Sequence, residues 1–200
     1  MIAIIDYDAG NLKSVEKALI LLGEEPVITR DKELLHKADK VILPGVGAFG
    51  DAMEKLHRYG LVDIIKELAK EKPFLGICLG QQLIFDESEE APGITGLGLL
   101  PGKILKIPDA KDLKIPHIGW NDLTINTSSR LFRNIPSNSY VYFVHSYYLS
   151  AENIQDVAAT TFYSTIIHAA VEHENIFACQ FHPEKSGTVG LQILRNFAEL

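Results

Sequence analysis

Apolar residues run along this chain in two rhythms. In the first half, short unbroken apolar runs at residues 2–5, 27–29, 41–43 and 73–77 read as buried strands. Between them, Leu12, Val15, Ala18, Leu19 and Leu22 recur at helical spacing until Gly23 interrupts them. Leu61, Ile64, Ile65, Leu68 and Ala69 mark a second amphipathic helix, and residues 79–87 predict another directly after the fourth strand. Strands alternating with helices predict a parallel sheet covered on both faces. After Ser88 the rhythm changes, and strands are predicted one after another at 103–107, 123–125, 140–144, 157–161, 166–171 and 176–181. These are expected to form antiparallel hairpins attached to the parallel core. A last helix should start near Ser186 and carry Val189, Ile193, Phe197 and Leu200 on one side. Loops are expected at 89–99, 108–114 and 127–138. No linker divides the pattern, so residues 1–200 are expected to form one α/β domain.

Composition narrows the classes of function. A chain of 200 residues that is 46% apolar can bury a sizeable core. The net charge of −7 argues against a nucleic-acid or anionic membrane surface. No apolar run approaches the roughly 18 residues of a membrane span, and Asp6 comes too early for a signal peptide. Two cysteines give no disulfide framework and suit a reducing cytoplasm. The histidines at 36, 57, 117, 145, 168 and 173 have no metal-ligand spacing with nearby cysteines or carboxylates, so neither a metal nor a cofactor is expected.

The chemistry concentrates at two places. Cys78 falls on the turn from the fourth strand into its helix, with Gly76 and Gly80 two residues to either side. This is the spacing of a nucleophile elbow with cysteine in place of serine. The glycines should let the backbone bend, and the helix N-terminus should favour a thiolate. A lone cysteine would more simply be a small buried hydrophobe. About a hundred residues later comes Phe181-His182-Pro183-Glu184 at the end of a predicted strand. His182 is the candidate proton shuttle for Cys78, and Glu184 can orient it if Pro183 keeps the segment extended. Cys179 has the opposite strand parity and should point away from His182 into the core. Gly45 to Gly50 also spells G-x-G-x-x-G between a strand and a helix. A dinucleotide site fits poorly, because that fingerprint belongs to a first strand and no strand-end acid follows about 20 residues on.

Gly76-Ile77-Cys78-Leu79-Gly80-Gln81-Gln82 with Phe181-His182-Pro183-Glu184 resembles the class I, or triad, glutamine amidotransferases. The resemblance covers nearly the whole chain. Pro44 to Gly50, Pro116-His117-Ile118-Gly119-Trp120-Asn121 and Tyr142-Phe143-Val144-His145-Ser146-Tyr147 narrow it toward the glutaminase subunits of imidazole glycerol phosphate synthase. It implies a three-layer fold, with a mostly parallel central sheet flanked by helices and added antiparallel strands. It also implies hydrolysis of glutamine by Cys78, His182 and Glu184 through a cysteine thioester. By the same resemblance, backbone N–H groups of Leu79 and of Val46 or Gly47 would form the oxyanion hole. Gln82 would reach back over the site, Glu90 would meet the substrate ammonium, and Ser146 and Tyr147 its carboxylate. Asn11, Trp120, Tyr142 and Lys185 would face a cyclase subunit built as a (β/α)8 barrel, in a heterodimer through which ammonia is channelled. The cyclase would make imidazole glycerol phosphate and aminoimidazole carboxamide ribotide in histidine biosynthesis. Three alternatives stay open: a glutaminase subunit of anthranilate or aminodeoxychorismate synthesis, a non-catalytic regulatory subunit, and a stand-alone γ-glutamyl cysteine hydrolase. The chain departs from the family pattern at Gln81, where methionine is expected, and at Asp8-Ala9, where Gly-Met is commoner.

Overall fold

The computed structural model describes residues 1–200. The first half runs β1 (Ile2–Ile5), α1 (Leu12–Leu21), β2 (Pro26–Thr29), α2 (Lys32–Lys37), β3 (Lys40–Gly45), α3 (Phe49–Arg58), α4 (Val62–Glu71), β4 (Phe74–Cys78) and α5 (Leu79–Leu83). The second half continues with β5 (Glu87–Ser88), β6 (Gly102–Lys106), β7 (His117–Asp122), β8 (Thr124–Ile125), β9 (Tyr140–His145) and β10 (Tyr147–Ala151). It ends with β11 (Val157–Tyr163), β12 (Thr165–His173), β13 (Ile176–Cys179) and α6 (Gly187–Ala198).

Eight strands form one sheet in the order β2-β1-β3-β4-β13-β12-β11-β8. The first five are parallel, and β12, β11 and β8 continue the sheet antiparallel. Of the later strands, β8, β11, β12 and β13 extend this sheet, while β10-β6-β5 and β7-β9 form two smaller sheets, so antiparallel strands are attached to the parallel core as expected. The register sets Gly45 beside Cys78 and Cys179 beside Ile77. Strand ends that carry the chemistry are thereby neighbours at one carboxyl edge, where open α/β sheets place their sites. Buried side chains form two clusters. One holds Phe49, Leu56, Ile65 and Leu79, the other Val15, Leu19, Ile193 and Phe197.

Helix α1 stops as its sequence predicts. Gly23 adopts φ +86°, its N–H bonds Ile20 O, and Glu24 N–H bonds Leu19 O, which is the Schellman closure. Helix α2 escaped the periodicity because only Leu35 among its six residues is buried. Its sequence mark is Asp31, whose side chain accepts from Leu34 N–H at 3.0 Å. The helix expected over 79–87 ends at Leu83, and Glu87–Ser88 pairs with β6 instead. Strand β13 stops at Cys179, two residues short of the expectation. Strands β7 and β10 lie in segments that carried motif residues rather than a clear alternation.

Candidate active site

The sharp turn after β4 is made by Cys78 itself, at φ 55° and ψ −109°. A non-glycine residue at positive φ is strained, and such strain gathers at functional sites. The flanking glycines do a different job from the bending expected of them. A β-carbon on Gly80 would lie 1.8 Å from Leu43 O, and one on Gly76 would lie 2.7 Å from Gly80 O. They are glycine because helix and strands approach too closely for side chains. Helix α5 has only five residues, so a full helix macrodipole is not available to a thiolate.

Cys78 is 6% exposed and opens onto a cleft of about 330 Å³. Of the residues singled out from the sequence, Val46, Gly47, Leu79, Gln82, Glu90, Ser146, Tyr147, His182 and Lys185 line the same cleft. The Cys78 thiol lies 3.9 Å from Val144 O and receives Gln180 Nε2 at 3.8 Å. His182 Nδ1 meets Glu184 Oε1 at 2.8 Å, with side chains 5% and 2% exposed. The extended course through Pro183 is replaced by a 3-10 turn over Pro183–Lys185, which brings the carboxylate back under the imidazole. His182 N–H bonds Tyr142 O at 3.0 Å, and Ser186 Oγ donates to His182 O at 2.7 Å. Burial works to lower the His182 pKa, but Cys78 and Glu184 outweigh it and push it up to about 10. The arrangement holds an imidazolium facing the sulfur, the condition for an activated cysteine.

Beside Cys78, Pro44 and Gly45 end β3 and Gly47 turns at φ +105°. Gly45 is not at positive φ; a β-carbon there would meet Tyr7 Oη at 2.4 Å and Leu79 Cβ at 2.9 Å. The N–H groups of Val46 and Gly47 have no acceptor within the chain, and both residues line the cleft. The N-terminus of α3, where a dinucleotide phosphate would sit, is taken by the chain's own Glu90, whose Oε2 accepts from Phe49 N–H at 2.8 Å. Glu90 is thus tied to this loop rather than solvated.

Gln82 does not reach back over the sulfur with its amide nitrogen. Its Nε2 donates to Tyr147 O at 3.1 Å and to Gln180 Oε1 at 3.0 Å. Gln180 received no role from the sequence. The signal was there: a buried glutamine in an apolar strand, two residues before His182. A second unforeseen group is the pair His117 and His145, with Nδ1 to Nε2 at 3.0 Å. His145 Nδ1 donates to Tyr147 O at 2.8 Å, which fixes the loop that carries Ser146 and Tyr147. Burial lowers the His145 pKa to about 3 and that of His117 to about 4, so both rings are neutral.

The candidate interface residues lie outside the cleft proper, apart from Lys185. Trp120 is 55% exposed and packs edge-on against Tyr142, its register partner across β7 and β9. Ile118 and Tyr140, also exposed, extend that ribbon. Exposed Asn11 lines a small cavity with Val46 and Glu184. The departures in sequence also find places. Asp8 sits at φ 59°, which explains why glycine is commoner there, and ion-pairs with Arg30 at 2.5 Å. Gln81 is fully buried and donates to His168 O at 3.3 Å, away from the sulfur.

The comparisons with known proteins agree with this geometry. A family model, glutamine amidotransferase class-I, matches residues 3–200. A relative from Chlorobaculum tepidum, imidazole glycerol phosphate synthase subunit HisH, is 51% identical over all of this chain and all of its own. The subunit of the same name from Methanothermobacter thermautotrophicus is 49% identical, covering 100% of this chain and 98% of its own. Among solved structures, PurLQS from Thermotoga maritima superposes with a TM-score of 0.78 at 21% identity over 99% of this chain and 97% of that one. A structure described as a glutamine amidotransferase gives 0.76 at 20% identity over 98% and 97%. Those two likenesses speak for the fold, and the family model and the relatives at half identity speak for descent. The chain belongs to the class I glutamine amidotransferase family.

Proposed function

We propose that this chain is the glutaminase subunit of an imidazole glycerol phosphate synthase, one domain that works beside a cyclase. The observation that carries the chemistry is Cys78, strained at φ 55° in a cleft shared with a His182–Glu184 pair at 2.8 Å. The observation that carries the partner is full-length similarity at about half identity to subunits of that synthase.

The Cys78 thiolate attacks the side-chain amide carbon of glutamine. The carbonyl becomes an oxyanion, received by the N–H groups of Leu79 and of Val46 or Gly47. As the tetrahedral species collapses, His182 gives its proton to the departing nitrogen, and ammonia leaves a glutamyl thioester on Cys78. His182, now neutral, takes a proton from water, which attacks the thioester and releases glutamate. Glu184 holds the imidazole by Nδ1 throughout, leaving Nε2 for the transfers. Ser146 and Tyr147 hold the substrate carboxylate through backbone or hydroxyl donors, and the carboxylate of Glu90 draws its ammonium. Gln82, whose amide oxygen has no partner in the chain, lines the same cleft.

Ammonia then passes to the cyclase, a (β/α)8 barrel docked on Asn11, Trp120, Tyr142 and Lys185, which yields imidazole glycerol phosphate and aminoimidazole carboxamide ribotide. No helix is long and apolar enough to cross a membrane, and two free buried cysteines fit a reducing cytoplasm. The test is glutamate release by the chain with and without the barrel cyclase. A glutamine-analogue electrophile should label one thiol per chain, Cys78, and labelling that survives Cys78→Ala defeats the assignment. Capture of a chorismate-using enzyme in place of a cyclase would instead favour another class I system.

A further inference from the structure

Few buried polar side-chain atoms lack a partner here, and Tyr7 Oη is one of them. Tyr7 follows β1, is 0% exposed, and packs in the core beside Phe49 and Leu79. Its hydroxyl occupies the space where a Gly45 side chain would be, 2.4 Å from the β-carbon position. Leu79 Cβ is 2.9 Å and Gly80 N 3.2 Å from that same point. Phenylalanine would fill this space without an unmet hydroxyl, so the hydroxyl needs another reason. Burial, and then the Cys78 charge, raises the Tyr7 pKa, so the phenol keeps its proton and is a donor.

The neighbouring peptide can supply the missing acceptor. Gly45 and Gly47 flank Val46, which is 44% exposed, and neither the Val46 nor the Gly47 N–H is bonded within the chain. The peptide between Gly45 and Val46 is thus held by little on its N–H side. A peptide plane that turns its N–H into the cleft must swing its carbonyl to the opposite, buried side. The buried side-chain donor beside Gly45 is the Tyr7 hydroxyl.

We propose that Tyr7 is a positioning residue whose hydroxyl donates to the Gly45 carbonyl when the Val46 N–H points at the Cys78 cleft. One orientation of the peptide leaves a buried donor unmet, and the other satisfies it. Tyr7 thereby biases the segment toward the oxyanion-binding state once substrate or partner brings it close. The inference rests on the proposed glutaminase reaction and on the oxyanion role of the Val46 N–H.

The test is Tyr7→Phe in the full chain, measured in complex with the barrel cyclase and its ligand. Three readouts are taken: thermal midpoint, glutaminase kcat and KM, and the rate of Cys78 alkylation by iodoacetamide. Alkylation displaces iodide at a saturated carbon and needs no oxyanion donor. The expected result is an unchanged or raised midpoint, unchanged alkylation and KM, and kcat lowered by about 10- to 100-fold, within the range for a weakened oxyanion donor. An unchanged kcat with a raised midpoint would make Tyr7 a space filler and overturn the proposal. A parallel fall of midpoint, alkylation and kcat would mean structural damage and overturn it equally. An inactive wild-type complex would instead strike the glutaminase reading beneath it, which separates the two failures.

Discussion

At the scale of single residues, the imidazole of His182 is the most informative group. Its folded pKa, about 10, lies above the ordinary histidine value, so its stabilising bonds are complete below about 6.5 and are lost as pH rises through 10. The groups that face it are Cys78, Glu184 and the neutral His145. Glutaminase activity that depends on the imidazolium should therefore persist through mildly alkaline pH and decline as pH passes about 10. A decline centred near 7 would show an unpaired histidine. His182→Ala should lower kcat by about 10²–10⁴-fold, and Glu184→Gln by less, because only orientation is lost. Gln81 tests a quieter point. Its Oε1 is buried without a partner, so Gln81→Met should raise stability by about 1 kcal/mol, with glutaminase activity retained. A lower thermal midpoint would show that the bond to His168 O outweighs the orphaned oxygen.

At the scale of elements, the turn from β4 to α5 depends on contact distances as much as on backbone freedom. A β-carbon on Gly80 would strike the backbone oxygen of Leu43 at 1.8 Å, and no flexible side chain can yield there. Gly80→Ala should destabilise by about 1–3 kcal/mol or more, as overpacking does. It should also lower glutamine turnover by pushing α5, and with it the Leu79 N–H, away from β3. Urea unfolding gives the first quantity and glutamate release the second; a wild-type midpoint would refute the contact argument. The elbow was legible in the sequence as glycine spacing, but the reason for the glycines was not. Close approach between elements is set by the sheet register, which joins Gly45 to Cys78 across 33 positions in sequence. The turn over Pro183–Lys185 was hidden for a similar reason. Strand parity placed His182 and Glu184 on one face, and a tighter turn achieved the same meeting by another path.

At the scale of the whole molecule, the triad and the exposed ribbon are joined by one residue. Tyr142 packs on Trp120 through its ring, while its backbone oxygen holds His182 N–H at 3.0 Å. A partner seated on Trp120 would thus press on β9, whose Tyr142 carbonyl holds the His182 backbone. Trp120→Ala should weaken cyclase affinity by about 2 kcal/mol, as loss of an aromatic anchor does, and leave the thermal midpoint of the isolated chain nearly unchanged. Glutamate release should be slow for the isolated subunit and rise in the complex, most of all with a ligand in the barrel. Equal rates in all three states would refute the coupling and point to an autonomous hydrolase.

The sequence alone determined the alternation of strands and helices and the closure of α1 at Gly23, and it singled out Cys78, His182 and Glu184 as candidates for one site. Each rests on short-range physics: apolar periodicity, the conformational freedom of glycine, and the chemistry of a thiol near an imidazole. The tertiary structure alone decided what depends on residues far apart in sequence. It divided the later strands between the large sheet and two smaller ones, tied Glu90 to the start of α3, and linked Gln82 to Gln180 and Gln180 to Cys78. It also buried Tyr7 against Gly45 and set His117 against His145. Local pattern carries no information about which distant side chains will share a cavity, because register and packing are fixed only when the whole core closes.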